Sequence, residues 1–307
     1  MCLEDFAGRR VTVIGGFGFL GRPLVRRLVD LGAEVSVVSR QGRVAGNTKP
    51  AAVYEGDAAE PGYLSKVFQD FRPHTVFNMA TAGLNTRDLS LVPKTFVSDL
   101  TTVVEGLTAT VETGVERFVL MASLEEPEAA VHPVPQSPYA AAKFAMRAYG
   151  RMFHEVFGAP VVTLRPFMGY GPGQSEKKLI PYLIKCALNN EAPQMTSGVK
   201  RTDWVYVDDL IEGFLRGALL PSPPPEPIDL ATGKLHSVRE VAKLVSELIP
   251  DAPEPLFGEL PDRNGDDIVR HADMTAAREL LDWEARVSLR EGLHLTIEKA
   301  RQALMRA

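Results

Sequence analysis

The stretch Val11-Thr-Val-Ile-Gly15-Gly16-Phe-Gly18-Phe-Leu-Gly21 decides how the rest of the chain is read. An apolar run ends in glycines spaced Gly15-x-x-Gly18-x-x-Gly21. Leu20, Leu24, Val25, Leu28 and Leu31 then recur at helical spacing, with Pro23 in the first turn and Gly32 as the stop. Strand, glycine turn and helix in this order suit a diphosphate. Glycine lets a phosphate approach the backbone with no Cβ in the way, and the helix N-terminus offers free N–H groups and its positive dipole end. Gly15, Gly18, Phe19, Leu20 and Gly21 are therefore candidate cofactor contacts. The spacing differs from the GxGxxG of two-domain dehydrogenases.

Outward from this turn, strand and helix patterns alternate. Residues 34–38, 52–54, 75–79, 118–121 and 161–164 read as further strands, and 92–113 as one long helix closed by Gly114. Short apolar runs separated by helices imply a parallel sheet covered on both faces, an α/β, Rossmann-type doubly wound fold with right-handed crossovers. After about Gly173 helical pieces alternate with proline-rich connectors, 221–227 and 250–255. Residues 1–172 are expected to form the dinucleotide-binding domain. Residues 173–307 are expected to form mainly a smaller mixed α/β substrate lobe, with some segments returning to the sheet.

Composition narrows the function. The 307 residues are 45% hydrophobic and 24% charged, with formal net charge −5, which is ordinary for a globular protein. No global basic field exists to hold nucleic acid. Cys2 and Cys186 alone exclude a disulfide framework or a Cys-rich metal site, and the six histidines show no metal-ligand spacing. No apolar run approaches the ~18 residues of a membrane span, and the first ten residues do not read as a secretion signal. A cytoplasmic enzyme or binding protein for small molecules is the expectation.

Two groups of side chains carry chemistry. At the end of the second strand stand Ser39 and Arg40, where an NAD site usually has an acid for the ribose hydroxyls and an NADP site an Arg for the 2′-phosphate. Arg43 would add charge, and NADP is expected ahead of NAD; both arginines also read as solvated loop cations. Asp57, after the third strand, reads either as an acceptor for the adenine amino group or as a turn residue. The second group is Tyr139-Ala-Ala-Ala-Lys143. Positions i and i+4 share a helix face, and a nearby ammonium favours phenolate, which makes the tyrosine a usable acid/base. Ser123 closes the fifth strand at the carboxyl edge, where ligands bind in parallel sheets.

With these motifs in order, the chain resembles the extended short-chain dehydrogenase/reductases, the NAD(P)-dependent epimerase/dehydratase group acting on nucleotide sugars. The resemblance runs from about Arg10 to Leu293. It includes Val76-Phe-Asn-Met-Ala80, Gly114-Val-Glu-Arg-Phe118, Ser137-Pro-Tyr139, Leu164-Arg-Pro166, Tyr170-Gly-Pro172, the segment Arg201 to Asp209, and Leu281-Asp-Trp283. It implies a nicotinamide beside a sugar carbinol carbon, usually C4. Tyr139 would serve as base, Lys143 would hold the ribose and lower the Tyr139 pKa, and Ser123 would place the substrate oxygen. Ala80 and Pro166 join the implied cofactor contacts, and Thr81, Glu125, Met168, Arg201 and Arg270 the implied substrate contacts. Arg201 reads equally as a phosphate ligand or as a structural partner of Asp203 or Asp208.

Three departures refine the implication. The segment between Ser123 and Tyr139 is short, with Glu125-Glu126-Pro127 in place of the usual Val-Tyr-Gly. Met168 stands where relatives usually have a substrate-contacting Asn. Leu124 stands where 4,6-dehydratases carry an Asp acid, while Glu125 matches their following Glu, so dehydration is disfavoured and decarboxylation stays open. The expected activity is 4-epimerisation of a nucleotide sugar through a transient 4-keto sugar; the alternatives are an NADPH-dependent 4-ketosugar reductase and a non-catalytic NADP-binding regulator. Relatives often pair as dimers through a four-helix bundle. Ala140, Ala141, Ala142, Ala145 and Ala148 are expected to offer a small-residue surface for that, making a homodimer.

Overall fold

The computed structural model describes residues 2–42, 49–81, 86–128, 133–262 and 268–305; Arg43 lies outside them. After a short 3-10 turn (Leu3–Phe6) come β1 (Arg10–Ile14), α1 (Gly21–Asp30), β2 (Glu34–Ser39), β3 (Ala52–Glu55), α2 (Tyr63–Phe71) and β4 (Thr75–Asn78). Then follow α3 (Leu91–Thr95), a π-helical turn (Phe96–Thr101), α4 (Thr102–Thr113), β5 (Arg117–Met121), α5 (Pro138–Phe157), β6 (Val161–Pro166) and β7 (Met168–Tyr170). The remainder is α6 (Leu179–Leu188), β8 (Gln194–Met195), β9 (Arg201–Tyr206), α7 (Val207–Ala218), β10 (Ile228–Leu230), β11 (Leu235–Ser237), α8 (Val238–Leu248), β12 (Leu256–Phe257), α9 (Thr275–Leu281) and α10 (Leu289–Leu304).

Seven strands form one sheet in the order β10-β6-β5-β4-β1-β2-β3. Strands β1 to β6 pair in parallel. From β1 the chain steps out to β2 and β3, then returns to β4 on the other side of β1. That reversal is the topological switch point, and it places a crevice at the carboxyl ends of β1 and β4. The sheet is buried because its strands are apolar throughout: Val11, Val13, Val37, Val76, Phe77, Phe118, Val119 and Leu120 have no accessible surface. Leu64, Val67 and Phe68 of α2 and Val103 and Leu107 of α4 join Ile14, Val76 and Phe118 in one core cluster.

The chain partitions into two compact units. The first holds Met1–Pro166, Ile211–Asp229 and Ala276–Trp283; the second holds Phe167–Leu210, Leu230–Thr275 and Glu284–Ala307. The boundary expected at 172 thus falls at 166, and the later chain returns to the first unit twice. Within the second unit β11-β9-β7 form a three-stranded sheet and β12-β8 a two-stranded one, with α6, α8 and α10 packed together. The expected helix 92–113 is interrupted by the π turn. Strand β10 is a seventh strand that its three residues, beside a proline run, did not announce.

Candidate active site

Strand β1 delivers the chain into the glycine turn. Gly15 has φ +76°, and a Cβ there would lie 2.8 Å from Ala80 N and 2.9 Å from Ala80 Cα. This contact brings the Gly15 turn and Ala80, after β4, together across the switch point. A Cβ at Gly21 would lie 2.3 Å from Gly15 O, so Gly21 is required by the folding of the turn itself. Gly18 is different: among the described residues beyond its chain neighbours, Gly15 O, at 3.2 Å, is the one atom within 4 Å of its missing Cβ. The space above Gly18 is therefore a cradle that a Cβ would fill. Phe19 and Leu20 lead from it into α1. The buried Asn78 accepts from Ala80 N with Oδ1 (3.2 Å), while its Nδ2 finds no partner among the described residues. An open cradle, a helix N-terminus and an unsatisfied buried donor fit a dinucleotide at this edge.

The ribose end is less enclosed. Ser39 Oγ accepts from Gln41 N (3.3 Å), and Arg40 is exposed with no ion pair among the described residues. The Glu55 carboxylate lies against Gly42 on the same ledge. Asp57 uses Oδ1 to hold Ala59 N (3.0 Å), which is the turn role, and it remains exposed.

The acid/base group is built by α5. Ser137 caps the helix, its Oγ accepting from Ala140 N (3.0 Å), and Pro138 occupies the first turn. Tyr139 and Lys143 then fall one turn apart on one face, with Nζ 5.7 Å from the Tyr139 ring centroid. Lys143 has no accessible surface, and its Nζ donates to Met121 O (2.9 Å) at the end of β5. Ser123, two residues further on, is buried, and its hydroxyl stands beside the Tyr139 phenol. The structure therefore brings Ser123, Tyr139 and Lys143 together at the carboxyl edge.

Electrostatics correct one expectation. The Tyr139 phenol is held above the ordinary tyrosine value, chiefly by burial and further by Asp99, Glu125 and Glu126; the Ser123 hydroxyl pulls the other way. Burial also pushes the Lys143 ammonium down, against the fields of Asp99 and Glu126. Desolvation and the nearby carboxylates thus favour the phenol form of Tyr139. Asp99 and Glu126 were missed by sequence reasoning. Asp99 is fully buried on the π turn, where Ser98 Oγ donates to Oδ1 (3.3 Å); such turns favour functional sites. Glu126 is buried behind Ser123. Neither carries a local signal of its own, Glu126 standing among the other acids Glu125 and Glu128, and only the tertiary fold distinguishes them from solvated carboxylates.

The remaining expected contacts are dispersed. Thr81 is exposed, Pro166 is buried at the end of β6, and Glu125 is half-buried with its N–H on Ser123 Oγ (3.2 Å). In the second unit, Met168 is half-buried in β7 opposite Trp204, and Arg270 is half-buried. Arg201 is exposed at the start of β9, donating to Leu235 O (3.2 Å). Asp203 is occupied by the Thr232–Lys234 turn, accepting from Thr232 N, Gly233 N and Lys234 N. Asp209 accepts from Arg286 N and Val287 N. Ala140 and Ala142 are buried, so only Ala141, Ala145 and Ala148 reach the surface of α5.

A glycine cradle at the switch point with a Ser-Tyr-Lys group at the neighbouring strand end defines a dinucleotide-dependent enzyme. The chain belongs to the NAD dependent epimerase/dehydratase family, whose model matches residues 11–229. It is 28% identical to a probable dTDP-glucose 4,6-dehydratase of Sinorhizobium fredii, over 94% of this chain and 92% of the relative. The structure of UDP-glucose 4-epimerase from Thermotoga maritima with UDP-glucose superposes with TM-score 0.87 at 27% identity, covering 96% of this chain and 99% of that one. UDP-glucose 4-epimerase of Thermus thermophilus in complex with NAD gives TM-score 0.81 at 25% identity, with coverage of 96% and 99%.

Proposed function

We propose that the chain interconverts the two epimers of a nucleotide-activated sugar at C4, using NADP. The observation that carries this reading is the convergence of Ser123, Tyr139 and Lys143 beside a cradle open at Gly18. The cofactor supplies a hydride acceptor and donor and, when oxidised, a positive ring that offsets the burial and carboxylates holding Tyr139 protonated. Tyr139 would take the proton of the C4 hydroxyl during oxidation at C4 and would return it on reduction. Ser123 positions the C4 oxygen, and Lys143 holds the ribose hydroxyls. Thr81, Glu125, Met168, Arg201 and Arg270 are assigned to the nucleotide sugar, Arg201 as a charge-assisted phosphate contact.

NADP rests on Arg40, exposed and without an ion pair among the described residues. NAD is the second reading, favoured by Glu55 beside Gly42, which is suited to accept from a ribose diol. Against the 4-ketosugar reductase, cofactor stoichiometry decides. An epimerase forms product from UDP- or dTDP-sugars with no net change in 340 nm absorbance, whereas a reductase loses one NADPH per product. Stoichiometric loss with a 4-keto sugar, and no epimer from any nucleotide sugar, would overturn the proposal.

A further inference from the structure

We infer that Glu126 is a positioning residue: a buried carboxylate that clamps the Ser123 turn to helix α5 and thereby aims the Ser123 hydroxyl. The inference concerns the serine of the reading above and deepens it. Ser123 has just left the sheet, and β5 no longer supplies its backbone with ladder partners. Glu126 replaces them. Its Oε1 accepts from Ser123 N (2.9 Å), and its own N–H donates to Ser123 O (3.1 Å). Glu125 N donates to Ser123 Oγ (3.2 Å). Three bonds within four residues close the turn.

The third bond has a chemical consequence. A serine hydroxyl carries one hydrogen and two lone pairs. With one lone pair taken by Glu125 N–H, the hydrogen and one lone pair are left for the Tyr139 phenol and a substrate oxygen. The direction in which the Ser123 hydroxyl presents them depends on the turn keeping its shape.

The clamp is fixed at its other end by α5. Glu126 Oε2 lies 3.0 Å from Arg147 Nε as an ion pair, without the geometry of a hydrogen bond. Arg147 follows Lys143 at the same spacing with which Lys143 follows Tyr139, so one helix carries all three at i, i+4 and i+8. Glu126 has 1% of its surface accessible. A carboxyl removed from water this completely needs partners: burial raises it above the usual range, while the Ser123 N–H and the Arg147 guanidinium pull the other way. The neighbouring charge is arranged to hold it. Arg165, bonded to Asp229 through Nε (2.6 Å), also bears on Glu126, and Arg147 in turn meets Glu226 at 3.7 Å. Apolar packing would fill this volume without such a network, and it would leave the Ser123 N–H without an acceptor.

Kinetics and amide exchange test this separately. Glu126→Gln keeps an oxygen for Ser123 N–H, whereas Glu126→Ala removes it. Glu126→Ala is expected to lower kcat about 10- to 100-fold with KM within about twofold, and Glu126→Gln to recover most of that loss. In a Ser123→Ala background Glu126→Ala should cost nothing further, because the residue acts through Ser123. An equal loss in both backgrounds, or a fall in KM alone, overturns the role. Backbone hydrogen exchange over the peptide spanning Ser123 should accelerate at least tenfold in Glu126→Ala and stay near the unmodified rate in Glu126→Gln. Unchanged exchange in Glu126→Ala removes the clamp outright. That arm needs no substrate, so absence of turnover on nucleotide sugars refutes the proposed reaction while exchange still decides the clamp.

Discussion

Replacing Tyr139 by Phe deletes one oxygen and keeps the ring, so the fold should persist while the acid/base is lost. Turnover should fall about 10²–10⁴-fold, with cofactor affinity nearly unchanged. Lys143→Met should damage both, and Ser123→Ala should lower rate alone; near-normal turnover in Tyr139→Phe sinks the hydride mechanism. The same residue makes a prediction about pH. Because burial holds the phenol above its ordinary 10.0, the protein should keep its proton on Tyr139 when free tyrosines have begun to ionise. An ultraviolet difference titration of the native chain against Tyr139→Phe should be flat at pH 10 and rise only above it. A midpoint at or below 10 contradicts the geometry. Arg40→Ala tests the cofactor: loss of one charge-assisted phosphate contact should remove about 1.5–3 kcal/mol of NADP preference over NAD, read by paired titrations. Equal affinities in the unmodified chain dispose of the NADP assignment. Tyr139, Lys143 and Ser123 were legible because their spacing and strand-end position are local properties. Asp99 and Glu126 were not, since their desolvation comes from helices and strands distant in sequence.

At the scale of elements, the two glycines that end the turn have separable duties. A methyl at Gly21 would meet the backbone oxygen of Gly15, and that of Gly15 would meet the backbone of Ala80; backbone has nowhere to retreat. Gly21→Ala should therefore cost stability, about 1–3 kcal/mol, in a urea unfolding midpoint. Gly18→Ala brings its methyl to 3.2 Å from Gly15 O and should cost less in that midpoint than Gly21→Ala, yet weaken dinucleotide binding sharply. Full cofactor affinity in Gly18→Ala would show that the cradle lies elsewhere. The element pattern in the sequence was clear wherever apolar periodicity was long, as in α1, α5 and α10. It failed at β10, where three residues are too few to show a period, and at the π turn. There Phe96–Thr101 keeps a helix-like apolar pattern while its hydrogen bonding shifts by one residue.

The whole molecule leaves one face unexplained by its own packing. Helices α3, the π turn and α5 pack against one another, yet they expose Val92, Phe96, Val97, Phe144 and Tyr149, with Phe96 58% accessible and Phe144 42%. Single exposed apolar residues are ordinary, but a group on adjacent helices is what pairing of two copies would cover. With Ala141, Ala145 and Ala148 on the outer side of α5, a second copy of the chain can approach closely there, and a two-fold pairing of this face with itself closes the assembly. The expected solution species weighs twice 33.6 kDa, and its melting midpoint rises with protein concentration, because association stabilises only the folded chain. Val92→Glu with Tyr149→Glu places two like charges on each copy of the face and should yield a single-chain mass by light scattering, with a concentration-independent midpoint. Phe144 is left in place because its ring lies 5.5 Å from the Arg147 guanidinium, so altering it would disturb the Glu126 clamp as well. A single-chain mass for the unmodified protein at micromolar concentration rules the pairing out.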